Sequence, residues 1–194
     1  MRHSVNRALF AHWNERRGPH PLPERSDIDP AAVRPALGDT FILAAEPGRD
    51  PGFRFVGTRV CALFRRELKH EGFIALWDPG HQATLRRLLV TVAEEEIGVV
   101  AGARAHTAEG FSCDLELLLL PLLHRGLSGR RILGALAPLA IPSWLGTSRL
   151  EPLALGSLRY LIEAYEPAMP SLPPTSLRRA QPQRNFVVYQ GGRS

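Results

Sequence analysis

At 194 residues and 44% hydrophobic content, the chain is too apolar for a disordered segment and long enough to bury one core with extensions. Its formal charge of +5 suggests nucleic acid, but Arg178, Arg179, Arg184 and Arg193 sit in residues 171–194 with no acid among them, leaving 20 basic against 19 acidic residues before them. The part that folds is therefore close to neutral, and a nucleic-acid partner is not expected for it.

Cys61 and Cys113 are the only two cysteines. The opening MRHSVNRALFAHWNERRG has no apolar run of secretory type. Together these predict free thiols and a reducing, cytoplasmic location. The longest apolar run, residues 115–123, is broken by Glu116 and Pro121 and is far too short for a bilayer, so no membrane span is expected.

Val5, Leu9 and Trp13 recur at helical spacing beside Phe10, which predicts an amphipathic N-terminal helix ended by Gly18-Pro19. That stripe is a candidate dimer surface, or else it packs on the chain's own sheet. Asp29 before Pro30 is a helix-start signal, with an acidic cap and then a residue whose missing N–H costs nothing there. A short helix is expected, stopping near Pro35. Residues 40–46 (TFILAAE) and 53–56 read as two strands joined by the turn PGRDPG, a hairpin. Thr58 after Gly57 can cap a helix carrying Val60, Cys61, Leu63 and Phe64. Residues 72–77 form another short helical or looped piece.

Asp78-Pro79 repeats the cap logic and opens the longest helix, 79–96, with Leu85, Leu88, Leu89 and Val92 as its buried stripe. Glu94, Glu95 and Glu96 oppose the helix dipole and are expected to fray or face water. Strands follow at 99–107, 112–123 and 131–141. In the middle one Asp114 and Glu116 alternate with Cys113, Leu115 and Leu117, which predicts one core face and one wet face. Residues 156–162 read as a last short strand or helix. The five prolines from Pro167 to Pro182 predict a linker without a core. This order gives an α+β fold: a five-stranded antiparallel sheet with helices on one face, preceded by an amphipathic helix. The expected organisation is an N-terminal helix at 1–18, a domain at 19–165 and a Pro/Arg-rich flexible tail at 166–194.

Trp13, Pro23, Arg25-Ser26-Asp27, Asp29-Pro30, Arg54-Phe55 and Gly57-Thr58 together resemble the motifs of a small alphaproteobacterial family of PAS-type domain proteins. Arg65 departs from the family's usual glycine, and Lys69, His70 and Glu71 lengthen the approach to Gly72. The likeness is specific over about 13–77, continues as strand order to about 160, and does not reach the tail. It implies a PAS-like fold and a sensory or regulatory module that binds a small molecule or a protein and is not itself a catalyst. It also implies a pocket between sheet and helices.

Phe55, Cys61, Phe64, Phe73, Trp77, Leu85, Leu117 and Leu136 are the candidate lining of that pocket, and the same residues can equally be core filling. The motif residues Arg25, Ser26, Asp27, Asp29, Pro30, Gly57 and Thr58 are read as structural. Asp27 or Asp29 as a general base is the catalytic alternative, but capping already explains their spacing. Arg54 and Arg104 could hold an acidic ligand, although outward-facing arginines are the simpler expectation.

His70 and His81 come nearest to haem ligands, with His81 expected to be exposed in its helix's first turn. A flavin adduct would require Cys61, which lies too early and in unsuitable surroundings (Arg-Val-Cys-Ala-Leu). The cofactor is therefore unknown, and a haem or flavin sensor remains as a minor alternative function. Gly126-Leu127-Ser128-Gly129 lacks the last glycine of an esterase elbow, and no phosphate loop or zinc spacing occurs. The expected partners are another protein, a second copy of the chain, or a small molecule. An alternative is an adaptor whose Arg-bearing tail binds nucleic acid or an acidic protein.

Overall fold

A computed structural model of the chain describes residues 1–45, 48–124 and 130–161. Their strands are β1 (Thr40–Ala45), β2 (Gly52–Val56), β3 (Gly98–His106), β4 (Ser112–Leu122), β5 (Arg130–Pro138) and β6 (Ala154–Leu161). Their helices are α1 (Ser4–Arg17), α2 (Thr58–Phe64) and α3 (Pro79–Glu94), with 3-10 turns at Arg25–Asp27, Arg34–Asp39 and Phe73–Leu76. The strands form one antiparallel sheet in the order β2-β1-β5-β4-β3-β6.

The antiparallel α+β reading holds, with two changes. The sheet has six strands rather than five, because the segment left open as strand or helix pairs with β3 as an edge strand. The helices also cover both faces. Alternation along β5 shows why: Ile132 and Leu136 join a core with α2, α3 and the 73–76 turn, while Leu133 and Ala135 join a second core with α1 and the 34–39 turn.

The second core explains the Val5-Leu9-Trp13 stripe, which packs on the chain's own sheet. Leu9 and Trp13 are buried beside Leu118, Leu120 and Leu122 of β4, and the Trp13 indole N–H donates to the Pro121 carbonyl at 2.9 Å. At the start of α1, His3 Nδ1 accepts from the Val5 N–H. At its end, Gly18 adopts φ +54°, and its N–H bonds back to Asn14.

β4 is therefore buried on both faces from Leu115 to Leu122, and the predicted wet face ends at Asp114. Glu116 points into the protein and not into water.

Local chemistry differs from expectation in three further places. Asp29 does accept from the Ala31 N–H at 2.8 Å, but the residues after it form a turn and then a 3-10 segment, not an α-helix. Gly57, not Thr58, is the cap residue of α2. α3 stops at Glu94, two residues short. Glu96 then takes φ +63° and pairs with Arg130 at 2.6 Å, which anchors the end of the acidic run. Asp78 caps α3 as expected, accepting from the Gly80 N–H at 2.8 Å with Pro79 in first position.

Candidate functional site

The space between the sheet and the α2–α3 side is occupied by rings. Phe41 from β1 meets Phe53 from β2 edge-on at 5.5 Å and Phe73 at 5.4 Å, and Phe73 in turn meets Trp77 at 5.8 Å. Such edge-on and tilted pairs are favourable ring geometries. Phe64, Leu85, Leu117 and Leu136 close around them in the same buried cluster. Six of the eight sequence-predicted lining residues thus come together, as mutually packed side chains.

The other two stand apart. Cys61 is only partly buried at the cluster's margin. Phe55 is at the surface, 37% exposed. The reason is a bulge: the register slips between Ile42 and Leu43, so that Phe53 opposes Leu43 while Phe55 opposes Ile42. The two residues would otherwise share a face. Phe53 takes the inward place and Phe55 is turned out.

The cluster depends on two close approaches. Gly134 lies opposite Phe41 in the β1–β5 pairing, and a Cβ there would fall inside the Phe41 ring. At Gly57 a Cβ would overlap the Leu37 and Gly38 carbonyls. The Gly57 N–H donates to the Thr40 carbonyl at 2.8 Å, and the Thr40 hydroxyl donates to Ala36 at 2.9 Å. The Gly-Thr step of the motif is thus where α2 rests on the 34–39 turn.

That contact carries a residue the motif reading passed over. Arg59 lies across Gly38, with Nε and Nη2 on the buried Asp39 carboxylate at 2.9 and 2.6 Å and Nη2 on the Pro35 carbonyl at 2.6 Å. A second missed residue is Glu116. Its carboxylate receives the backbone N–H groups of Arg2 at 2.6 Å and His3 at 2.9 Å, and the Asn6 amide at 3.0 Å. Burial pushes its pKa up, but these donors outweigh burial and hold it below the usual glutamate range. No local pattern marks Glu116 as buried, because its donors come from more than a hundred residues earlier.

A family model for the PAS domain matches residues 1–137. The chain belongs to the PAS-domain family. No curated protein matches it. PAS domains are in general sensory or regulatory modules, and generally not catalysts.

The remaining sequence candidates find ordinary places in this PAS fold. Asp27 accepts from the Glu24 N–H at 2.8 Å in a capping box around the 25–27 turn. Arg104 faces outward, paired with Asp114 at 2.7 Å. Arg54 is exposed on β2. His70 is exposed at φ +72°, and His81 lies in the first turn of α3 with 38% of its side chain exposed. Burial raises both thiols, Cys61 and Cys113, away from the reactive thiolate.

Among the described residues no cluster of three or more His, Cys, Asp or Glu side chains could hold a metal ion, and no helix is long and apolar enough to cross a membrane. The 126–129 segment and the Arg-bearing residues 171–194 lie outside the described residues.

Among the described residues, several clefts open at the surface instead, and two of them matter here. One, about 410 Å³, lies between the β1–β2 turn and α3, with Arg49, Asp50, Arg86 and Arg130 over Leu89 and Ala93. The other, about 500 Å³, lies between the start of α1, α2 and the residues after β5, with His3, Val5, Asp39, Arg59, Leu63 and Leu145 in its wall.

Proposed function

We propose that this PAS domain is a non-catalytic regulatory module that works by binding at its surface, to a protein, a second copy or a small molecule. The observation behind this reading is the ring cluster of Phe41, Phe53, Phe73 and Trp77, which takes up the space where an interior ligand would sit. Interiors packed in this way leave few voids larger than a water molecule. The functional unit in this reading is the domain to about residue 165 with α1 docked on it, and residues 166–194 are an appended segment. Its setting would be the cytoplasm.

Mass measurement under native and then denaturing conditions tests it. Bare protein in both states is expected. A released mass whose retention in native buffer is lost in Trp77→Phe would overturn the surface reading.

One observation favours a second reading, an interior ligand. Trp77 is buried, yet its indole N–H has no hydrogen-bond partner among the described residues. Buried donors are seldom left so, and a small acceptor beside Trp77 would satisfy it. In that case Trp77→Phe would abolish retention of the released mass, with little effect on fold.

A further inference from the structure

We propose that the cleft between α1, α2 and the residues after β5 binds small organic acids with an apolar body, of the medium-chain carboxylate class. This inference rests on the surface-binding reading above and names a ligand for it. The cleft holds about 500 Å³, and its wall is mostly apolar, from Val5, Ala62, Leu63, Pro138 and Leu145. Ile141 stands at its edge with 84% of its surface exposed. A large apolar side chain so placed gains nothing from the fold itself, but would gain from covering an apolar ligand.

The polar groups around this wall favour an anion. His3 uses Nδ1 as an acceptor for the Val5 N–H at 3.2 Å. In that tautomer the ring proton is on Nε2, which is left as a donor. Arg59 commits Nε and Nη2 to Asp39 and Pro35, and Nη1 has no hydrogen-bond partner among the described residues. More than half of the Arg59 side chain is exposed, at 56%. Ser4 also lines the wall, and its hydroxyl is able to donate. Among the described lining residues the acid is Asp39, which is 5% exposed and already held by Arg59, and the nearby Glu116 is buried with its carboxylate taken by the Arg2 and His3 amides, so neither presents much charge to a ligand. A carboxylate can therefore meet an arginine edge and further donors while its chain lies on the apolar wall. Such a ligand would touch α1 and α2 at once, and so join the two helix layers that cover opposite faces of the sheet.

The test is a methyl-resolved NMR titration of the full chain with octanoate, with butyrate and octan-1-ol as controls. Octanoate is expected to shift the methyls of Val5, Leu63, Ile141 and Leu145 saturably. Each methylene beyond butyrate should tighten binding by about threefold to fourfold, and octan-1-ol should bind at least about tenfold more weakly than octanoate. Arg59→Gln should erase the preference for octanoate over octan-1-ol. Ile141→Asp, at a position the fold does not use, should weaken octanoate binding at least about tenfold. That second variant keeps the test intact if loss of the Arg59–Asp39 pair unfolds the protein.

The absence of saturable shifts up to about 10 mM octanoate, or octan-1-ol binding as tightly as octanoate, would overturn the proposal while leaving the surface reading to its own mass measurement. Saturable shifts at Leu85, Leu117 and Leu136 instead would place the ligand in the interior and overturn both.

Discussion

Gly57 is held in place by its neighbours and not by its own backbone angles, since its φ of −73° suits any residue. The Leu37 and Gly38 carbonyls forbid a side chain, and backbone atoms cannot move aside as a side-chain tip can. Gly57→Ala is therefore expected to cost about 1–3 kcal/mol or more, read as a lower urea midpoint. An unchanged midpoint would show that the 34–39 turn shifts freely.

Gly134 is a gentler case, because its obstacle is the Phe41 ring. Gly134→Ala should cost about 1–3 kcal/mol, and Phe41→Leu in the same chain should return part of that loss. Strict additivity of the two changes would show that the ring is not what excludes the Cβ.

Glu116 makes a prediction about pH. Its folded pKa is lowered, so the unfolded chain binds its proton more tightly. The stability it supplies is complete above the unfolded value and is lost as pH falls through the folded value. Glu116→Gln should lower stability by about 1–3 kcal/mol at neutral pH and should lack this acid-range component. A parallel pH profile in the two proteins would contradict that assignment.

At the scale of elements, α1 acts as a cover. It lies over Leu118, Leu120, Leu122, Leu133 and Ala135, which would otherwise form an apolar sheet face in water. Removal of residues 1–18 is expected to produce self-association, seen by light scattering as masses above the monomer. A monodisperse, folded monomer would show that the cover is dispensable.

The elements were largely legible in the sequence wherever a local signal governs them. Asp78-Pro79 marks the start of α3 within the chemistry of one turn, and Leu85, Leu88, Leu89 and Val92 mark its buried side by their spacing. What the sequence concealed depends on distant partners. β4 resembles a half-wet strand because Asp114 and Glu116 alternate with apolar residues, and only the donors from α1 make Glu116 an interior residue. Phe53 and Phe55 look equivalent in sequence until the bulge opposite Ile42 and Leu43 separates them. The motif residues Gly57 and Thr58 pointed to the right place, while Arg59 beside them, which forms part of the cleft, carried no signal of its own.

For the whole molecule, the docking of the chain's first turn on β4 sets an order of events. The amides of Arg2 and His3 meet a carboxylate 114 and 113 residues later in the chain. Contacts of that span must overcome a large loop-closure entropy before they stabilise anything, which slows folding. On a ribosome adding about 5–20 residues each second, α1 emerges well before β4, so the contacts of Leu9 and Trp13 with Leu118, Leu120 and Leu122 wait for the fourth strand. For several seconds the stripe of α1 lacks its β4 partners, so a nascent chain stalled before Glu116 carries exposed apolar surface of the kind chaperones cover.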